Sequence, residues 1–363
     1  MRLISRVRSC LGLTALLVGM MQTALAAPEY TILEIDANSG RDTVGHALNL
    51  NGEVIGRAGQ SHGSDSRGFI WGGKNHIQRL QMLQGGDSGS AFAINDSGVI
   101  VGESNTSESV HAVLWTRDGT LRDLGMLPGD TGSRAFAVNN RGEVVGYSSG
   151  ATGVHAFVWS SRTGMRRLAN FVGSRHAEAY GINNKGEVVG ACDLPAGSHA
   201  CRWSSTGQVQ DLGALPGDTM SKAQAINDRG EITGSSGSAS VRHAFIWTRT
   251  DGIQALDPLG GSNMNEGLAI NNSGQVVGTV KTSIGSRAFV WTRKDGMQDL
   301  NTLVPAESGV LLTSALNIND RGQILVVGGM AGDLLHNVHL DDEQHAGPTH
   351  LFLLTPVSGS RKQ

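Results

Sequence analysis

The sequence contains few cysteines, few aromatic residues and no apolar run long enough to cross a membrane. Only three of the 363 residues are cysteines, and aromatic residues make up 5% of the chain. The longest apolar run lies near the amino terminus and falls short of the roughly 18 residues of a spanning helix. We therefore expect no stable membrane insertion. The chain also lacks a useful 3.6-residue apolar period, which argues against long helices.

The chain also lacks a large excess of either positive or negative charge. The chain carries 29 basic and 32 acidic side chains, dispersed along its length without a basic stripe. This distribution argues against nucleic acid as a partner.

The amino terminus has the pattern of a secretory signal. Arg2, Arg6 and Arg8 precede an apolar run at 11–21, and the tripeptide ALA at 24–26 suits signal peptidase. We predict a signal peptide over 1–27 and a single domain over 28–363, located in the periplasm or the extracellular medium. An uncleaved amphipathic anchor is the alternative. Cleavage would leave 26 basic and 32 acidic side chains, a net charge of −6.

Two cysteines remain after cleavage, Cys192 and Cys201. An exported chain meets an oxidising compartment, and both residues lie near the edge of a predicted hairpin loop. We predict a disulfide between them, and two free, partly buried thiols are the alternative.

Against these shortages, the chain is rich in glycine and strictly periodic. It has 51 glycines, and its six tryptophans stand 44 residues apart, at 71, 115, 159, 203, 247 and 291. A marker such as "AINDSGVIVG" precedes each tryptophan, and a seventh version, "NINDRGQILVVG", begins at Asn317. The sequence therefore contains seven units, of which the last lacks its tryptophan. We expect the tryptophans to pack between neighbouring units.

Each unit has the pattern of four short strands. In the unit that begins at Ala91, the apolar segments "AFAIN", "VIVG", "HAVLW" and "LRDLGML" alternate with turns and one polar loop. Four strands in about 44 residues are typical of a β-propeller blade. The last unit has only three strands, and an unpaired strand at 30–36 precedes the first unit. We predict an all-β, seven-bladed β-propeller with four-stranded antiparallel blades, closed by the N-terminal strand in the last blade; an open solenoid or two smaller sheets are the alternatives.

The units resemble the HAF repeat family of probable extracellular proteins. The resemblance rests on "HAFVW" at His155 and "HAFIW" at His243, with variants at His111 and His199, together with "INxxGxVVG" and "xxDLGxL". It covers nearly all of the predicted mature chain and implies a secreted repeat protein, but it transfers no activity. We expect the signature histidines to donate hydrogen bonds between neighbouring blades.

The string "GGDSGS" at 85–90 is similar to a serine-protease nucleophile loop. The same connector recurs as "PGDTGS" and "PGDTMS", so threonine replaces Ser88. A recurring connector does not need the base and oxyanion hole that a nucleophile requires. We expect Asp87, Asp130 and Asp218 to cap these turns, and they are also candidate ligand contacts.

Strand direction places every longer connection on one face of the propeller, here called the upper face. Loops on a rigid scaffold commonly carry binding residues. Polar residues that depart from the repeat, His176, Glu178 and Glu266, are further candidate ligand contacts on this face. The loop at 329–349 carries His336, His339, Asp341 and His345, which could ligate a divalent metal, although a solvated loop without any cofactor is the alternative.

The sequence favours a secreted, monomeric binding module whose upper face takes an unknown extracellular ligand, a glycan or a protein. An extracellular hydrolase or lyase that acts on carbohydrate or a similar polymer is the alternative, since propellers host both classes. Convergence of the irregular polar residues in a central pocket would favour the enzyme, whereas their scatter would favour binding alone.

Overall fold

The computed structural model describes residues 29–35, 42–59, 66–73, 77–195, 197–238, 240–330 and 350–357. The predicted signal peptide lies outside these residues. So do His336, His339, Asp341 and His345 of the predicted metal loop.

The described chain forms seven four-stranded antiparallel sheets, the blades, numbered here along the sequence. Blade 1 comprises β2 (Asp42–Leu48), β3 (Val54–Gly59), β4 (Arg67–Trp71) and β5 (Ile77–Arg79). Blade 2 comprises β6 (Gly89–Ile94), β7 (Ile100–Asn105), β8 (Val110–Trp115) and β9 (Leu121–Gly125). Blade 3 comprises β10 (Asp130–Val138), β11 (Val144–Gly150), β12 (Gly153–Ser160) and β13 (Gly164–Arg167).

The remaining blades repeat this order. Blade 4 comprises β14 (Ala177–Ile182), β15 (Val188–Leu194), β16 (Gly197–Trp203) and β17 (Val209–Gly213). Blade 5 comprises β18 (Met220–Ile226), β19 (Ile232–Gly237), β20 (Arg242–Thr248) and β21 (Gly252–Ala255). Blade 6 comprises β22 (Asn265–Ile270), β23 (Val276–Thr282), β24 (Gly285–Thr292) and β25 (Gly296–Asp299). Short 3-10 helices span Leu259–Gly261, Leu300–Thr302 and Ala306–Ser308.

Blade 7 combines both ends of the described chain. It comprises β26 (Val310–Ile318), β27 (Ile324–Met330), β28 (His350–Pro356) and, at its outer edge, β1 (Tyr30–Glu34). Strand β1 runs antiparallel to β28, with Tyr30 opposite Pro356 and Glu34 opposite Phe352. The predicted seven-bladed β-propeller and its closure are therefore confirmed.

The apolar core is divided into wedges between adjacent blades. Trp115 of blade 2 is only 2% exposed and belongs to the same buried cluster as Ile55 of blade 1. Its Nε1 donates to the carbonyl of Gln81, in the connection between the two blades, at 2.8 Å. The predicted packing of tryptophan between blades is confirmed here, while Trp291 is only partly buried. Since a single blade leaves one face uncovered, burial of these indole side chains requires the circle of seven blades to close.

On the lower face, opposite the long connections, seven asparagine side chains form a closed ring around the axis. Each Nδ2 donates to the backbone carbonyl of the matching asparagine in the next blade, at 2.9–3.2 Å. The last of these bonds runs from Asn319 in blade 7 to Asn49 in blade 1. The ring, called here the asparagine ring, consists of Asn49, Asn95, Asn139, Asn183, Asn227, Asn271 and Asn319.

The same side chains shape the turn between the first two strands of each blade. In blade 4, the Oδ1 of Asn183 accepts from the backbone N–H groups of Lys185 and Glu187. Gly186 completes the turn at a φ of 78°, a conformation that favours glycine. Each buried amide thus satisfies its own turn and holds the next blade.

Every innermost strand contains a β-bulge, and a glycine in the second strand makes room for it. In blade 5 the register shifts between Ala223 and Ala225, which leaves Gln224 unpaired. A Cβ on Gly234 would lie 1.9 Å from the carbonyl oxygen of Lys222. The corresponding distances in all seven blades are 1.8–2.2 Å, so each "VVG" glycine of the repeat permits the bulge beside it.

We expect the Asn183→Ala variant to lose about 2–4 kcal/mol of unfolding free energy, because it leaves buried backbone groups of two blades without partners. Urea or thermal unfolding measures the loss. Asn51→Ala is the matched control, since the exposed side chain of Asn51 makes one hydrogen bond to a described residue, the carbonyl of Asp96 at 3.2 Å. Equal losses for the two variants would contradict the role of the ring.

We expect Gly234→Ala to destabilise the fold by about 3 kcal/mol, because the added methyl group meets backbone rather than a movable side chain. Gly72→Ala is the control, since a Cβ there meets nothing within 4 Å. Unfolding midpoints of the two variants provide the comparison, and a tolerated Gly234→Ala would refute the steric account.

Candidate binding site on the upper face

The bulges place one residue of each blade in the central channel. In blades 1 to 4 these residues have aromatic side chains, and the rings of adjacent blades are in contact. The ring centroids are 5.2 Å apart for His46 and Phe92, 5.4 Å for Phe92 and Phe136, and 5.5 Å for Phe136 and Tyr180. These four rings partly fill the channel. They form a floor beneath the upper face.

The floor contains one titratable imidazole. The Nδ1 of His46 lies 2.6 Å from the carbonyl oxygen of Ala91, so Nδ1 carries the proton and donates. Burial lowers the pKa of His46, and nearby Arg57 lowers it further, against the opposing effect of this hydrogen bond. The floor is therefore uncharged at neutral pH.

Above the floor, six half-buried charged side chains surround the axis with alternating sign in blades 1 to 6. The Nε of Arg134 lies 2.6 Å from the Oε2 of Glu103. The ammonium of Lys222 lies 3.8 Å from the centroid of the Tyr180 ring, which places a cation on an aromatic face. This charged ring consists of Arg57, Glu103, Arg134, Glu178, Lys222 and Glu266.

A cavity of about 580 Å³ opens beside this ring in the sector of blades 4 to 6. Its lining includes His176 and Tyr180 of blade 4, Lys222 and Arg242 of blade 5, and Glu266 of blade 6. The guanidinium of Arg242 donates to the carboxylate of Glu266. Five serines, at 198, 221, 235, 236 and 238, also line the cavity. The hydroxyls of Ser221 and Ser236 donate within the protein, to the carbonyl of Gly213 and to Asp218. The cavity is polar, open to the upper face and large enough for a small ligand.

Partial burial shifts two of these groups towards their neutral forms. Burial lowers the pKa of Lys222, Glu178 and Glu266 oppose that effect, and Arg242 adds to it. Burial raises the pKa of Glu103, against the opposing charges of Arg134 and Arg57. In both cases burial disfavours the charged form, and neighbouring charges of opposite sign offset part of that effect.

Two of the six predicted ligand contacts, His176 and Glu266, line this cavity. A third, Glu178, lies on β14 between two lining residues, His176 just before the strand and Tyr180 within it. The His176 Nε2 and the Glu178 Oε1 are 3.7 Å apart.

The other three predicted contacts, the connector aspartates, are engaged by the protein itself. Asp87 accepts from the side-chain amide of Asn105 at 2.6 Å. The carboxylate of Asp130 is buried and lies 3.0 Å from the Nδ1 of His155. Asp218 accepts from the hydroxyl of Ser236 at 2.8 Å and lies 3.4 Å from the Nδ1 of His243.

The signature histidines therefore bind aspartates within their own blades or at the joint that leads into them. In the even-numbered blades the partner lies on the outer strand, since His111 contacts Asp123 at 2.8 Å and His199 contacts Asp211 at 3.1 Å. The prediction that these histidines donate hydrogen bonds between neighbouring blades is therefore wrong. The aspartate on the adjacent strand, or at the start of the blade, is simply nearer than any group across the wedge.

Sequence reasoning missed Lys222, Arg242, Arg134, Glu103 and Arg57. A signal for two of them was present, five residues before each asparagine of the ring. That position reads Val, Ser, Arg, Glu, Lys, Glu and Ser in blades 1 to 7, and so departs from an otherwise regular repeat. Arg57 and Glu103 lie on second strands and Arg242 on a third strand. Only the pairing of strands brings the first two to the charged ring and Arg242 to the cavity.

A disulfide joins Cys192 on β15 to Cys201 on β16, and both residues are fully buried. Next to it in sequence, Ala191 lines the cavity, as does Ser198 of the following strand. The bond therefore braces the wall that blade 4 contributes.

The described residues contain no cluster of three or more His, Cys, Asp or Glu side chains that could hold a metal ion. Across the same parts of the chain, no helix has the length and apolar character needed to cross a membrane.

Comparison with known proteins identifies the fold but no family. No family model matches the sequence, and no curated relative matches it. The structure is similar to virginiamycin B lyase from Staphylococcus aureus, with a TM-score of 0.55 and 10% identity over 91% of this chain and 100% of that chain. It is also similar to the propeller domain of the Trilobed protease from Pyrococcus furiosus, with a TM-score of 0.56 and 8% identity over 86% of this chain and 93% of that chain.

A third similar structure is the acylaminoacyl peptidase of Pyrococcus horikoshii, with a TM-score of 0.52 and 9% identity over 90% of this chain and 54% of that chain. At these identities the likeness concerns the propeller fold alone. Propellers of this kind occur in a lyase and in proteolytic proteins, so the fold is consistent with either a binding or an enzymatic role. The Pyrococcus furiosus domain is described as having an open velcro topology, whereas the two ends of this chain pair in blade 7.

We expect the ε-amine of Lys222 to titrate below the ordinary lysine value of about 10.4, because its burial disfavours the charged form. Glu178→Gln should lower this pKa further, since Glu178 favours the ammonium. Because the unfolded chain then binds more protons, the contribution of Lys222 to stability rises with pH in the window below the ordinary value. NMR titration of labelled lysine tests both shifts, with Glu108→Gln on an exposed loop as control, and a raised pKa in Glu178→Gln would exclude this electrostatic arrangement.

Proposed function

We propose that this chain is an exported binding module that takes an extracellular ligand in the cavity between blades 4, 5 and 6 of the upper face. The observation that carries the proposal is the open polar cavity beside the charged ring, in the sector of blades 4 to 6, which is lined by His176, Lys222, Arg242 and Glu266. The signal-peptide pattern, the resemblance to HAF repeats and the disulfide between strands support export.

The accessibility of these groups supports a binding role. The side chains of Arg242 and His176 are 48% and 38% exposed, and those of Glu266 and Glu178 are 26% and 20% exposed. Charged groups at this depth reach a ligand without the full cost of burial. The rigid strands that carry them keep their positions before the ligand arrives, which reduces the entropic cost of binding.

The grouping of irregular polar residues in this sector supports a second candidate, an extracellular enzyme acting on carbohydrate or a similar polymer. Glu178 and Glu266 both lie close enough to Lys222 to favour its charged form, so two carboxylates and an amine are near neighbours. Such a set could exchange protons with a substrate.

We expect purified protein to bind at least one member of a combined glycan and peptide array, and the Lys222→Met/Glu266→Gln variant to lose at least tenfold in affinity. A lower-face variant, Arg141→Ala, is the control and should bind like the parent, because Arg141 pairs locally with Glu143. The proposal would be refuted if the protein bound no member of the array, or if only the control variant lost binding.

Turnover of the bound polymer distinguishes an enzyme from a binding module. A binding module returns the ligand intact after prolonged incubation, as chromatography of the ligand shows. Shorter products that disappear with Glu178→Gln or Glu266→Gln would assign the enzymatic role instead.

A further inference from the structure

In and beside the cavity, both hydrogen-bond donors and hydrogen-bond acceptors remain available to a ligand. The ammonium of Lys222 makes no hydrogen bond to a described residue and touches only the face of Tyr180. Within the same described part of the chain, the carboxylate of Glu178 accepts no hydrogen bond, and the hydroxyls of Ser198 and Ser235 are also unbonded. A ligand that fits the cavity must therefore offer both acceptors and donors.

The charges around these groups cancel. From blade 4 to blade 6 the order is Glu178, Lys222 and Glu266, with Arg242 paired to the last of them. Two carboxylates alternate with two cations, and the other three groups all act electrostatically on Lys222. A net anion or cation would gain attraction from one pair of groups and repulsion from the other. The alternation therefore gives an ion no advantage over a neutral ligand.

A hydroxyl group donates one hydrogen bond and accepts others, so neighbouring hydroxyls suit a line of alternating acceptors and donors. The cavity volume of about 580 Å³ also falls within the usual range for small-ligand clefts. We propose that the cavity binds a neutral oligosaccharide, whose hydroxyls donate to Glu178 and Glu266 and accept from Lys222 and Arg242. This inference rests on the proposed binding function and specifies its ligand class.

A peptide backbone also carries donors and acceptors, but the cavity suits it less well. Peptide recognition relies on pockets for alternate side chains. Met220, at 41% exposure, is the only exposed large apolar side chain among the described residues that line the cavity. The hydroxyls of Ser198 and Ser235, which bond to no described residue, favour a sugar instead.

The test compares ligands of equal length and different charge by calorimetry. The probes are neutral glucose, mannose and galactose oligosaccharides, a uronic-acid oligosaccharide, a glucosamine oligosaccharide and a neutral hexapeptide. We expect a neutral oligosaccharide to bind at least tenfold more tightly than the charged probes and the peptide. Its Kd should change less than about twofold between 50 and 500 mM NaCl, because screening has little effect on an uncharged ligand.

Variants locate the contact. Lys222→Met, Glu178→Gln and Glu266→Gln should each weaken binding of the neutral probe about tenfold or more, since each removes a charged hydrogen-bonding partner. Arg141→Ala on the lower face should stay within twofold of the parent. Thermal unfolding of each variant separates lost contact from lost fold.

Several results would overturn this inference. Tighter binding of the uronic-acid or glucosamine probe that weakens in salt would assign an ionic ligand, and preference for the hexapeptide would assign a peptide. Binding of a neutral sugar that survives all three cavity variants would place the site elsewhere. If no saccharide binds while another array member does so through Lys222 and Glu266, the ligand class is wrong and the proposed binding function stands.

Discussion

Hydrogen bonds from one buried asparagine in each blade are the interaction on which this propeller depends. Every such amide caps its own turn through Oδ1 and holds the next blade through Nδ2, as Asn183 does. The series closes from Asn319 to Asn49, so the last blade is fixed against the first. Tryptophans in the wedges supply apolar burial, but burial is non-directional, whereas these amides specify the angle and height at which one blade meets the next.

The same local chemistry builds the upper face at the other end of the axis. Each bulge turns one residue of the innermost strand into the channel, and a glycine such as Gly234 accommodates the carbonyl that the bulge displaces. The channel therefore acquires an aromatic floor where blades 1 to 4 supply rings. The charged ring lies above that floor, and the ammonium of Lys222 contacts the face of the Tyr180 ring. Regular backbone geometry thus presents irregular side chains at one height around the axis.

The proposed function of this chain depends on departures from the repeat. Positions that recur in all blades serve turns, wedges and glycine contacts, and the connector aspartates Asp130 and Asp218 hold signature histidines. Only the positions that differ between blades, such as Glu178, Lys222 and Glu266, make blades 4 to 6 unlike the rest. A symmetrical scaffold supplies equivalent places, and substitution at a few of them turns one sector into a cavity.

The sequence alone determined the fold, because a 44-residue period, four apolar segments per unit, an unpaired strand at 30–36 and a last unit of three strands admit few arrangements other than a closed ring. It also indicated the upper face, and it singled out His176, Glu178 and Glu266 as departures from the repeat. It could not show that Arg242, distant along the chain from Glu178 and on a different strand, shares their cavity, or that the signature histidines choose partners within a blade. Those contacts depend on strand register and on the angle between blades, which arise only when the whole ring is assembled.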